Sequence, residues 1–246
     1  MNRSGAETQS GEEDSSGFSA PLRLCRSNDW LLWQLADSAF PTGGFAHSGG
    51  LEAAYQHRAI RGGAELTDYL RAALNQLAHA ALPFVHATFT DGAAFADADE
   101  RCDAFLCNHV ANRASRTQGQ AFLASADRIF VRAELKAFRD QLLSFDSPSH
   151  FAPVFGVVSR LLSLEAPAAA RLFVFTQLRG GISAAVRLNI VGPGEGQAIQ
   201  HQLSGAAENV ARRFGEVGLH DAAQTAPLLD LWQGTQDRLY SRLFQT

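Results

Sequence analysis

Residues 168–188 read AAARLFVFTQLRGGISAAVRL, and this segment constrains the fold more than any other part of the chain. At helical period Leu172, Phe173, Val174, Phe175, Leu178, Ile182, Ala185 and Val186 make it apolar nearly all round, and Pro167 suits its first turn. A helix of that kind needs cover on most sides, so other helices must surround it. Arg171, Arg179 and Arg187 argue against a membrane span. Gly180 and Gly181 are expected to let another backbone come close, at about 1 kcal/mol each in lost propensity.

The rest of the chain supplies that cover. LTDYLRAALNQLAHAAL carries Leu66, Tyr69, Leu70, Ala73, Leu74, Leu77 and Ala81 on one stripe, with a start at Gly63 or Thr67 and an end at Pro83. Asn28 or Asp29 is a candidate N-cap for a short apolar helix reaching Ala39. Further helices are expected over 84–96, 98–127, 129–143 and 150–164. The pattern resumes at 196–214 after VGPGEG, and Pro227 opens a last helix that runs through Leu243. No segment alternates with period two long enough to argue a sheet, so the fold class is all-α, a single-domain bundle of roughly eight to ten helices over 28–246. Residues 1–27, rich in Ser, Gly and acidic side chains, read as a disordered tail.

Charge and composition remove several functions. The chain has a formal net charge of -4, which gives no electrostatic case for nucleic acid. Lys136 is the only lysine, which rules out a phosphate-loop lysine and most Schiff-base chemistry, and the arginine bias suits bidentate pairing at protein interfaces. Cys25, Cys102 and Cys107 are irregularly spaced, so they point to a reducing compartment, the cytoplasm. Cys102 and Cys107 read as core thiols, five residues apart on one helix and unable to share a ligand face. No Cys-x-x-Cys, His-x-x-x-His or His-Glu-x-x-His pattern occurs, so no metal site is expected. No signal peptide or membrane span is expected either.

One loop carries the chemistry-bearing residues. AFPTGGFAHSGGLE, residues 39–52, joins two helical patterns. A hydrolase would use Ser38 or Ser48 as nucleophile, His47 as base and Asp37 or Glu52 as orienter, but the loop reads AHSGG where a nucleophile elbow needs Gly-x-Ser-x-Gly. A phosphate cradle would lack its lysine. A purely structural reading has Pro41 stop one helix, Gly43 and Gly44 supply unusual dihedrals, and Ser48 with Glu52 form a capping box. That reading leaves Phe40, Phe45 and His47 without a purpose.

LLWQLADSAFPTGGFAHSGGLE resembles the signature of the urease accessory protein UreF family, and NRASRTQGQAFL, HFAPVFGVVSRLLSL, SAAVRLNIVGPGEGQAI and LYSRLF are similar to further family segments in the right order. The chain departs from the family at Gly49, where many members have a bulkier residue, and at Gln245 and Thr246, which replace the usual ending. The resemblance implies an all-helical homodimer that is not an enzyme and carries no cofactor. Its implied partners are a UreD/UreH-type accessory protein, the UreG GTPase and apo-urease, so that nickel is inserted and the GTPase regulated. No contact with nucleic acid or membrane is implied. On this reading the loop is a recognition surface of Phe40, Pro41, Gly43, Gly44, Phe45, His47, Ser48 and Glu52. The terminal Tyr240, Ser241, Arg242, Leu243 and Phe244 add interface residue types beyond the last core helix. Arg171 and Phe175, four apart on one helical face, are the expected dimer contact.

Overall fold

The computed structural model describes Met1 and residues 27–245. The tail expected over 1–27 therefore lies, apart from its two end residues, outside the described residues. Among these residues the chain forms twelve α-helices, four short 3-10 turns and no strand, so it is all-α. The first six helices are α1 (Ser27–Ala36), α2 (Leu51–Gln56), α3 (Gly63–Ala80), α4 (Leu82–Thr90), α5 (Phe95–Phe105) and α6 (His109–Phe130). The others are α7 (Ala133–Ser144), α8 (Phe151–Leu161), α9 (Ala166–Arg187), α10 (Pro193–Gln202), α11 (Ser204–Arg212) and α12 (Pro227–Gly234).

Helices outnumber the expectation because local hydrogen bonds cut the long apolar runs. Asp91 accepts the Ala93 N–H at 2.9 Å and divides 84–96. The Asn108 side chain accepts the N–H groups of Val110 and Ala111, so a new helix starts inside 98–127. Cys107 falls in that break and is exposed, whereas Cys102 is buried, so only one of the two is a core thiol. Val131 adopts φ 46, which separates α6 from α7. Pro83 opens α4 as well as closing α3, and Thr67 back-bonds to the Gly63 carbonyl inside α3. Asn28 and Asp29 lie within α1. That helix stops at Ala36 because Asp37 Oδ1 accepts the Ala39 N–H at 2.7 Å and turns the chain away. The last helix is shorter than expected, ending at Gly234 and leaving 239–245 as a bent, non-helical segment.

The centre is α8, whose residues from Phe151 to Ser159 are all buried. It packs most extensively against α4 and then α6. Gly156 makes the α4 contact possible: a Cβ there would overlap Thr88 Oγ1 and the Val85 carbonyl. Thr88 uses the closeness to donate to Pro153 O at 2.8 Å. Rings of Phe122 on α6, Phe151 and Phe155 on α8 and Phe173 on α9 stack into one cluster, with centroids 4.9 Å apart for Phe155 and Phe173.

The α9 helix is buried along Ala169, Leu172, Phe173, Leu178, Ile182 and Ala185, yet Arg171, Phe175, Gly180 and Ser183 face outward. The described residues thus do not supply cover on every side. The glycine pair does not admit a backbone either: Gly181 meets the Leu70 side chain, and Gly180 has nothing within 4 Å.

Candidate functional site

The 37–52 loop is held at several points. Arg179 of α9 donates to the Ala36 carbonyl at the end of α1, where a cation is favoured by the helix dipole. Phe40 is buried, stacked on Phe130 and edge-on to Phe122. Ser125 donates to the Pro41 carbonyl at 2.9 Å, and Tyr69 donates to the Gly49 carbonyl at 2.7 Å. Gly50, at φ 91, starts α2 with its α-carbon face pressed on the Gln233 backbone, so neither the dihedral nor the space accepts a side chain.

Glu52 decides the architecture here. It does not form a capping box with Ser48; Gly50 is the N-cap, and no side chain caps α2. Its carboxylate, 2% exposed, accepts from Gln236 Nε2 at 2.6 Å, Leu243 N at 2.6 Å and Phe244 N at 3.1 Å. The C-terminal segment is thereby clasped onto α2. Gln245 N donates to Ala46 O at 2.9 Å and Gln56 to Ser241 O at 2.8 Å, tying terminus and loop together. The Arg187 guanidinium lies between the Phe45 and Phe244 rings, 3.6 and 4.2 Å from their centroids, and donates to the Phe45 carbonyl. Both Asp237 oxygens accept from one Arg113 nitrogen, at 2.9 and 3.0 Å, and Oδ1 accepts from Arg242 at 3.0 Å, with His109 at 3.3 Å. The Arg113 hydrogen bond is the main reason its carboxyl sits below the usual range.

The loop and terminal residues expected to form a recognition surface are thus brought together, but they split by direction. Phe40, Ser48, Glu52 and Phe244 face inward, which corrects the expectation that their side chains are offered to a partner. Their burial follows from the clasp and from the Phe40 ring stack. Pro41, Phe45, Tyr240, Ser241, Arg242 and Leu243 are exposed, Tyr240 fully, and Gly43, Gly44 and His47 are half-buried between them. His47 is held below the usual histidine range, first by burial and then by the Arg113 charge, which favours the neutral ring at pH 7. Both Glu52 oxygens serve the chain end, and Asp37 Oδ1 accepts the Ala39 N–H. Among the described residues no group of three or more His, Cys, Asp or Glu could hold a metal ion.

Arg171 and Phe175 lie elsewhere, on the open stripe of α9. Arg171 pairs with Glu208 at 2.7 Å, and Phe175 is 38% exposed under Arg179. Sequence reasoning missed Arg113, Arg187, Gln236 and Asp237. A signal existed for Arg187, which is two helical turns from Arg179 on one face, and for Arg113, which lies inside the NRASR motif. Nothing local marks Gln236, whose partner is 184 residues away.

The fold and this site define an all-helical protein in which a buried carboxylate fastens the C-terminus to a glycine-rich loop and turns Phe45, Tyr240 and Leu243 outward. The UreF family model matches residues 60–204. Urease accessory protein F of Arabidopsis thaliana is 38% identical over 237 residues, 95% of this chain and 99% of that protein. Urease accessory protein F of Oryza sativa subsp. indica is 38% identical over 221 residues, 88% of this chain and 85% of that protein. UreF of Mycobacterium tuberculosis is 30% identical over 214 residues, 87% and 97% of the two chains. The chain belongs to the UreF family of urease accessory proteins.

Proposed function

We propose that this chain is a non-catalytic scaffold in urease maturation, bridging a UreD/UreH-type protein and the UreG GTPase so that nickel is inserted into apo-urease. In this role it regulates the GTPase, acts in the cytoplasm, and contacts neither nucleic acid nor membrane. Nickel is cargo here, not a resident cofactor. The observation that carries the reading is the clasped surface, with aromatic and arginine side chains exposed on an otherwise fixed backbone, the composition of interface hot spots. Family membership supplies the maturation context.

The test uses Tyr240→Glu combined with Leu243→Ser. Both side chains face solvent, so the melting temperature should hold within a degree or two. Capture of the UreD/UreH-type partner should weaken by about 30-fold or more, as loss of a 2 kcal/mol hot spot implies. Full-affinity capture by the folded variant would defeat the assignment.

The open stripe of α9 supports a homodimer, with Arg171 and Phe175 meeting their copies across a two-fold axis. Light scattering on Phe175→Asp should report a folded monomer, since the change removes the exposed ring and leaves a charge to be desolvated when the interface closes. A folded dimer would argue for another face.

A further inference from the structure

Away from the loop, the junction between α7 and α8 is built around a histidine that the scaffold role does not use. His150 has no exposed surface. Its Nε2 lies 3.0 Å from Asp103 Oδ1 of α5, and its Nδ1 lies 3.1 Å from Ser115 Oγ of α6. Ser115 Oγ also accepts the Phe151 N–H at 3.2 Å, on the first turn of α8. Asp99, one turn before Asp103, accepts the N–H groups of Ser149 at 2.8 Å and His150 at 2.7 Å and the Ser147 hydroxyl at 2.5 Å.

These bonds fit one proton arrangement. With the ring neutral, Phe151 N–H donates to Ser115, the Ser115 hydroxyl donates to Nδ1, and Nε2–H donates to Asp103. A second ring proton turns Nδ1 into a donor facing an oxygen that already accepts Phe151, so the serine hydrogen is displaced from its acceptor. The charged groups facing the ring are Asp99 and Asp103 from α5 and Arg116 from α6. The carboxylates favour the cation, while Arg116 and full burial oppose it, and burial is the largest influence.

What this junction holds is the most lightly anchored long helix. In α7 only Leu135 and Leu142 are buried, with Phe138 edge-on to Phe95 at 4.9 Å. Its other end is Val131 at φ 46, a left-handed position unusual for a β-branched residue. We propose that His150 is an acid-sensitive latch: proton uptake by its imidazole frees residues 145–150, and α7 lifts about Val131 to uncover Phe95, Leu135 and Phe138.

The sign follows from linkage. Because the closed state holds His150 below its ordinary value, the open state binds the proton more tightly. Closure is therefore complete above about pH 6.5 and weakens as pH falls from there toward the closed-state value, by up to tenfold per pH unit for one proton.

Hydrogen exchange on the full chain between pH 7.5 and 5, corrected for the intrinsic rate, should show amides of 133–151 opening with that slope while α3 and α9 stay protected. His150→Gln, which keeps a donor and an acceptor but cannot titrate in this range, should flatten the response. An unchanged slope in the variant, a flat wild-type profile, or α3 and α9 opening together with α7 would each overturn the latch. If His150→Gln does not fold, NMR titration of the wild-type imidazole decides: ring protonation and α7 opening must share a midpoint, and separate midpoints reject the proposal.

Discussion

Replacing Glu52 with leucine should release residues 239–245 from α2 and lower the unfolding free energy by about 2–4 kcal/mol, the range for losing several hydrogen bonds to one charged acceptor. The carboxylate is buried and takes two backbone donors from that segment and a third from the Gln236 side chain just before it. Once freed, the Leu243 and Phe244 N–H groups regain water, which limits the loss; buried Gln236 cannot, which keeps it substantial. Urea melts should register the change. Trypsin should now cut at Arg238 and Arg242 in protein that is otherwise folded. Glu52→Gln, which puts an amide N–H₂ against one of the backbone donors, should fall between the two. A leucine variant as stable and as trypsin-resistant as wild type would show that the clasp holds nothing.

Gly156→Val should be at least as damaging, costing about 3 kcal/mol or more, the upper range for overpacked cores. The added atoms would enter space held by Thr88 Oγ1 and the Val85 carbonyl, and the carbonyl belongs to helix backbone that cannot rotate aside. The two helices would have to separate, loosening the stacked Phe122, Phe155 and Phe173 rings beside them. Circular dichroism under denaturant should show a lower midpoint or no cooperative transition. A wild-type midpoint would mean that α4 and α8 can part without cost. Gly156→Ala should already carry much of the loss, because the Cβ itself meets both atoms.

The sequence by itself determined the fold class, because helical periodicity is written within a few turns and depends on neighbours no more than four residues apart. It also determined the family, since the loop and downstream motifs resemble UreF segments. It placed the helix breaks less well. Asn108 and Asp91 end apolar runs through side-chain bonds that compete only weakly with the helix, and one such residue mid-pattern reads equally well as a tolerated polar position.

Only the tertiary structure decided how the site is assembled. Glu52 has the spacing of a capping-box residue, and its actual partners lie 184 to 192 residues away. Phe244 and Tyr240 are both terminal aromatics, yet one closes the core and the other faces solvent, because the clasp fixes which side of the terminal segment points inward. The outward stripe of α9 is legible only in part: Arg171 and Phe175, four apart, mark one face, whereas nothing local sets Gly180 and Ser183 on the open side. The physical reason is the same throughout. Local spacing sets which residues share a face of one element, whereas burial and hydrogen-bond partners are set by which distant element meets that face.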